Sequence, residues 1–297
     1  MVSRLTNIHS KVIYQGETYY SNVTIESSTT TEVEINYPET TICLVKVKGI
    51  INMYDGPIYV HDGIIREIKI SPGKDEVIFF IFLDEPVEAN IDTIAGIPFR
   101  IRINFSRQPM TDFYQNKVLV IDPGHGGTDG GQRGPVNLWE RDTAWKTAME
   151  LVKVLKDFKA KVVLTREKDE NPSWQERINK VPTNTLCFIS LHQYHSNDLS
   201  QRGTLVLYNE LAPGNEKLAN QVMESIIGRV KTPSLGVKAE KELSKLGELP
   251  ALKIKPVTIT NWVDEGLLRN PNFYKKIALA TSVGIKQFFK MGEIGHE

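Results

Sequence analysis

Residues 118–140 read VLVIDPGHGGTDGGQRGPVNLWE: an unbroken apolar run enters a glycine-rich loop and reaches an acidic residue where a helical pattern begins. An apolar run without polar alternation suits a strand covered on both faces, and such strands belong to parallel sheets flanked by helices. The second half of the chain keeps to this plan. Strands are expected at 117–122, 161–166, 186–192, 204–209 and 256–263, with helical segments between them, which predicts an α/β domain with a mostly parallel sheet. In the first helix, Trp145, Met149, Val152 and Leu155 recur at helical spacing and predict a buried stripe, with Glu140 at or just before the first turn. The last helix is expected to start with Asn270 as N-cap and Pro271 at the first helical position, followed by an apolar face running from Phe273 to Phe288.

The first half is patterned differently. SNVTIES, TEVEINY, TICLVKV, PIYVHD, REIKISPG, EVIFFIFLD and FRIRINF are short alternating or apolar runs broken by turn residues, which predicts a small all-β sandwich. Residues 106–117, SRQPMTDFYQNK, interrupt the pattern and read as a linker. Two domains are therefore expected, at 1–110 and 111–297, and a chain of 297 residues is long enough for each to bury its own core.

Lys plus Arg and Asp plus Glu balance at 36 each, with no long basic run. That removes the electrostatic footprint of a nucleic-acid binder or of a protein held on an anionic membrane, and no window reaches the ~20 apolar residues of a membrane span. Cys43 and Cys187 sit inside apolar runs in different halves and are expected as buried thiols, neither a disulfide nor a zinc ribbon. The first twenty residues, MVSRLTNIHSKVIYQGETYY, hold no secretory leader. Either a leader was removed or export takes another route.

Ligands in open α/β sheets bind at the carboxyl ends of the strands. His125 follows strand VLVID after Pro-Gly, and His192 directly follows strand CFISL, so two strands deliver imidazoles to one edge, with Glu140 from the helix that the glycine loop feeds. Two imidazoles and a carboxylate suit a catalytic Zn2+ site with a fourth position open to water. The competing reading makes His125 a loop histidine, His192 a core residue and Glu140 an acid favoured by the helix dipole. Nucleotide binding is disfavoured because no Lys-Ser/Thr follows the glycines, and a serine triad lacks its G-x-S-x-G elbow.

Taken together, these residues resemble the zinc-dependent N-acetylmuramoyl-L-alanine amidases. The resemblance covers roughly residues 117–289: DPGHGG at 122–127, the fifteen-residue separation of His125 and Glu140, VVLTREKD at 162–169, ERINK with Arg177, and FISLHQYHSND at 188–198, which places the last ligand at His192. It implies a peptidoglycan hydrolase that cuts the amide between N-acetylmuramic acid and L-alanine of the stem peptide. It further implies Zn2+ held by His125, Glu140 and His192, and an extracytoplasmic location in the cell wall or periplasm. The first half is similar, in pattern and position only, to the AMIN β-domains that target such enzymes to peptidoglycan or to an envelope protein partner.

One segment departs from the family. Its catalytic glutamate ends the last strand in a stretch of the form P-x-x-x-x-E-x-G-F-x-x-N-P, whereas this chain has PVTITNWVDEGLLRNP from Pro256. Counting forward from Pro256 puts Asn261 at the glutamate position, and counting back from Gly266 puts Asp264 there, with Glu265 next. Glu265, then Asp264, is expected as the proton carrier; with Asn261 in that place, the alternative is a peptidoglycan-binding protein that has lost its base. Asp122 and Arg166 are expected to brace the metal loop, His195 and Arg133 to lie on the surface, and Trp139 and Trp174 to pack in the core.

Overall fold

The computed structural model describes residues 3–15, 18–52 and 56–294, and the chain divides into two compact units, Met1–Met110 and Thr111–Glu297. The first unit is all β. Its strands are β1 (Leu5–Gln15), β2 (Thr18–Ser27), β3 (Val33–Glu39), β4 (Ile42–Lys48), β5 (Ile58–Tyr59), β6 (Ile65–Pro72), β7 (Glu76–Leu83), β8 (Ala89–Ile94) and β9 (Phe99–Ser106). They form two antiparallel sheets, ordered β1-β2-β9-β8 and β3-β4-β7-β6-β5. Cys43, Val45 and Val47 on β4 and Val77, Phe79 and Ile81 on β7 are fully buried at alternate positions, the period-2 signature that places one face of the sheet inward. Each such side chain contributes roughly 1.5–3 kcal/mol when fully buried. Strands β1 and β8, the two edge strands of their sheet, escape the reading of apolar runs. Along β1 only Leu5 is buried, so its place comes from backbone pairing with β2 rather than from a hydrophobic pattern.

The stretch expected as a linker contains a helix, α1 (Gln108–Tyr114). Met110, Phe113 and Tyr114 stand at i, i+3 and i+4 and are all buried, a stripe too short to register against the polar residues around it.

In the second unit the chain runs β10 (Val118–Pro123), α2 (Glu140–Asp157), β11 (Lys161–Leu164), α3 (Trp174–Asn179), β12 (Thr185–Leu191), β13 (Thr204–Tyr208), α4 (Asn215–Val230), β14 (Ser234–Ala239), a 3-10 turn at Leu243–Leu246, β15 (Ala251–Lys255), α5 (Trp262–Leu267) and α6 (Pro271–Ile294). The six strands form one sheet in the order β11-β10-β12-β15-β13-β14. All neighbours are parallel except β13 with β15. The mostly parallel α/β plan is therefore present, and α6 begins at Pro271 as its cap sequence requires.

Two local expectations are corrected. The last strand is Ala251–Lys255, and residues 256–261 form a turn leading into α5. Lysines at 253 and 255 hide the strand among more apolar neighbours, although Lys253 is itself buried with its Nζ 2.6 Å from Glu242. The buried stripe of α2 passes through Ala144, Ala148, Leu151 and Leu155. Trp145 and Met149 are half-buried on its flank, where Trp145 takes the Arg166 guanidinium 5.3 Å from its ring. Cys43 and Cys187 are free and buried; burial pushes their thiols up to about 11 and about 12, with Tyr37 opposing the rise at Cys43.

Candidate metal centre

Parallel pairing carries β10 and β12 to the same sheet edge, with Asp122 beside Ser190 and Pro123 beside Leu191. His192 is the first residue past β12, and His125 lies two past β10. Helix α2 starts at Glu140, whose side chain is 3% exposed and reaches back to both. Glu140 Oε1 lies 3.1 Å from His125 Nε2 and 3.0 Å from His192 Nδ1. It also accepts the Gln193 amide at 2.9 Å, while Oε2 accepts the Gln132 amide at 3.1 Å. The two imidazole rings stand 5.0 Å apart at 74°. One potential ligand atom from each of the three residues lies within 4.8 Å of the others, the one such cluster of His, Cys, Asp or Glu among the described residues.

The charge balance shows how tightly the three are coupled. Burial alone raises the Glu140 carboxyl, but the hydrogen bonds and charges of His125 and His192 reverse this and hold it well below the usual carboxylate range. Burial likewise lowers His125, and is outweighed by Glu140 and Asp129, so its pKa is raised. At His192 burial wins over Glu140 and the pKa is lowered. A buried carboxylate with two imidazoles turned on one oxygen is a donor set that a divalent cation fits, because the ion supplies the positive charge that two neutral imidazoles lack. Asp129 completes this side: its Oδ2 lies 2.8 Å from His125 Nδ1, the carboxylate-to-histidine support that orients a metal ligand.

Sequence-local strain is held by side chains from afar. His125 adopts a left-handed backbone, φ 57°, unfavourable for a residue with a side chain. The Arg177 guanidinium grips this loop, donating to the carbonyls of His125 and Pro123 at 2.8 Å each and pairing with Asp122 at 2.7 Å. Arg166 donates to the carbonyls of Pro123 and Gly124 at 2.8 and 3.1 Å. Asp122 further accepts the hydroxyls of Thr165 and Ser190 at 2.5 and 2.6 Å. Arg177 is delivered by α3, whose start carries a full Ser173/Glu176 capping box. Two glycines make room for the imidazoles: a Cβ on Gly124 would stand 2.3 Å from the His192 ring, and one on Gly131 2.6 Å from the His125 ring.

The structure gives Asp264, Glu265 and Asn261 other work. Both oxygens of Glu265 are taken, by the amides of Val136 at 2.7 Å and Leu138 at 3.0 Å, with Arg269 at 3.5 Å. Asp264 accepts the amides of Gly203 and Thr258 and the Arg202 side chain. Asn261 caps α5 by accepting from Val263 and Asp264. Asp264 and Glu265 are fully buried, so releasing either from these bonds to carry a proton leaves backbone N–H groups unpaired, and neither joins the metal cluster. His195 and Arg133 are exposed, and Trp139 lies over Arg133 rather than in the core. Trp174 does pack in the core, against Phe188.

The residue that takes the strand-end position is Lys255. Strand β15 runs parallel to β12 with Leu191 beside Ile254, and the His192 amide donates to the Ile254 carbonyl at 3.0 Å. The next pair along is His192 and Lys255. Counted from Pro250 instead of Pro256, the family form P-x-x-x-x-E-x-G-F-x-x-N-P puts Lys255 at the glutamate and Asn261 at the asparagine, with Val257, Thr258 and Trp262 in place of its Gly, Phe and final Pro. That asparagine match was the signal available in the sequence.

A family model described as N-acetylmuramoyl-L-alanine amidase matches residues 119–287, more than half of the chain, including all three members of the cluster. Among curated proteins, the probable cell wall amidase LytH of Staphylococcus epidermidis is 26% identical over 199 residues, 66% of this chain and 66% of that one. The N-acetylmuramoyl-L-alanine amidase LytC of Bacillus subtilis is 28% identical over 178 residues, 59% of this chain and 36% of its own. This chain thus spans about two thirds of the first relative and about a third of the second. Among solved structures, the catalytic domain of the amidase CwlV from Bacillus (Paenibacillus) polymyxa superposes with a TM-score of 0.55 at 24% identity, covering 59% of this chain and 98% of that domain. At that identity the likeness is one of fold.

Proposed function

The chain belongs to the N-acetylmuramoyl-L-alanine amidase family, and from that membership we propose that it hydrolyses the amide between the lactyl group of N-acetylmuramic acid and L-alanine of the peptidoglycan stem peptide. The observation that carries the reading is the convergence of His125, Glu140 and His192 on one point at the carboxyl edge of the matched domain. These three would hold Zn2+. When bound, zinc lowers the pKa of water and polarises a carbonyl, so an amide can be cut at neutral pH without a protein nucleophile.

The residues around the triad prepare that chemistry. The amides of Gln132 and Gln193 fix both oxygens of Glu140, and Asp129 fixes the ring of His125, so these donors are oriented before an ion arrives. In the overall reaction a water oxygen joins the lactyl carbonyl carbon and the C–N bond breaks with its electron pair on nitrogen. The nitrogen takes up a proton, leaving a carboxylate on the muramic acid and a free amine on the stem peptide.

The substrate places the proposed activity outside the membrane, in the cell wall or periplasm. No helix among the described residues is long and apolar enough to cross a membrane. The all-β unit lies before the family match, which begins at residue 119, and its proposed role is to hold the hydrolase on its polymer or on an envelope protein.

The test is direct. Zinc is expected to bind near one equivalent per chain, and purified sacculi are expected to release stem peptides. His192→Ala should lose both; retained muralytic activity in that variant would overturn the reading.

A further inference from the structure

Three groups outside the triad face the sheet edge that carries it, and they differ in what they are free to do. Asp122 is fully enclosed by Arg177, Thr165 and Ser190. Lys253 is buried against Glu242. Lys255 has no such partner at its Nζ among the hydrogen bonds and ion pairs of the described residues; its ammonium stands 5.9 Å from the Tyr194 ring.

Register fixes where Lys255 emerges. Side chains alternate across a strand, so Ser190 and Lys253 share one sheet face and Leu191 and Ile254 the other, and the His192 amide bonded to the Ile254 carbonyl carries that register on to His192 and Lys255. Ser190 marks that face as the one bearing Asp122, whose carboxylate takes its hydroxyl. A candidate metal-ligand imidazole and a lysine thus leave adjacent strands side by side, at the sheet edge that carries the triad. Burial pulls the Lys255 ammonium below the ordinary lysine range while the Glu140 charge opposes the drop, which is the environment of a group drawn into the site rather than one trailing in solvent.

Resting on the amidase reading above, we infer that Lys255 is the anion-holding member of this site: a fixed cation beside the His125/Glu140/His192 triad that binds a carboxylate, the group amide hydrolysis leaves on the lactyl arm of muramic acid. Lysine takes the place of the glutamate in the family form. It adds positive charge where a carboxylate would add negative charge. Two consequences follow from that sign. A bound carboxylate is held more tightly than in a site with an acid at this position, so the product is retained. A divalent cation is held less tightly, because a second positive charge lies nearby.

The probe is acetate, titrated into cobalt(II)-loaded full-length protein and followed by visible absorption. Lys255→Met keeps the aliphatic stem and is expected to weaken acetate binding by about tenfold, a partly screened single-charge effect. Lys255→Arg keeps the charge and should stay within about threefold of wild type. Zinc affinity, measured by chelator competition, should rise several-fold in Lys255→Met. Equal acetate affinity in wild type and Lys255→Met, or an unchanged zinc affinity, overturns the assignment and leaves the hydrolase reading intact. Normal acetate and zinc responses without stem-peptide release from sacculi would instead overturn the hydrolase reading and leave Lys255 as an anion site.

Discussion

Glu140 and Glu265 are two buried glutamates that look alike by position and differ in what remains free. Each lies in the first turn of a helix, α2 or α5, where the helix dipole favours a negative charge. Each accepts two backbone amides, and both grip the same glycine loop: Glu140 through Gln132, Glu265 through Val136 and Leu138. The difference is the third partner. Glu140 turns Oε1 towards two imidazoles that can share a cation with it, whereas Glu265 closes on the Arg269 guanidinium. Chemistry follows from the lone pairs left over, so one glutamate is free to serve as a ligand and the other is a fastening.

The sharpest way to break this contrast is to remove each acid in turn. Glu140→Ala is expected to abolish stoichiometric zinc binding and hydrolysis together, measured by metal analysis and by stem-peptide release; a variant that still binds one zinc would show that the imidazoles suffice. Next in size is the clamp beneath the triad. Arg177→Met leaves Asp122 buried and uncompensated, which should cost about 3–5 kcal/mol in denaturant unfolding, and a loss below 1 kcal/mol would mean that the loop stands without it.

Asp122 also sets a pH signature. Burial raises its carboxyl, but Arg177, Ser190 and Thr165 outweigh this and its pKa is lowered. A carboxyl depressed in the folded state stabilises above its unfolded value of ~3.9 and loses that contribution as pH falls through the folded value. Stability should therefore decline below about pH 4, and Asp122→Asn should flatten that decline in acid titrations followed by circular dichroism.

Smaller effects sharpen the two sides. Asp129→Ala should weaken zinc by about 10–100-fold through loss of the support on His125 Nδ1, read by chelator competition. Glu265→Gln replaces one acceptor by a donor and strands a backbone amide, so about 1–3 kcal/mol of stability should go while zinc stoichiometry stays at one. Should the folded Glu265→Gln protein bind zinc normally and yet lose all hydrolysis, Glu265 carries a proton after all and the contrast with Glu140 fails.

Much of the site was legible because its parts are local. His125 and His192 each follow an apolar strand by one or two residues, and Glu140 opens a readable helix; strand ends and helix starts leave marks within a few residues of each candidate ligand. The strand carrying Lys255 left no such mark. ALKIK alternates lysine with apolar residues, and its buried Lys253 depends on Glu242, so neither strand nor register could be read from the window alone. Edge strand β1 was illegible for a related reason, being held by backbone bonds that any side chain permits.

The amino-acid sequence alone determined the donor chemistry of this protein and the alternation that brings two strand ends to one edge, because residue type and hydrophobic period act over short range. Which acids are free to act was decided only by the tertiary structure. Asp264 and Glu265 are adjacent to the expected turn in the chain, yet the amides that consume them lie far off, at Gly203 and at Val136 and Leu138. Lys255 is brought to the sheet edge of the triad through a strand pairing between residues more than sixty apart. A buried polar group must be hydrogen-bonded, and its partners are settled only when the whole sheet has closed.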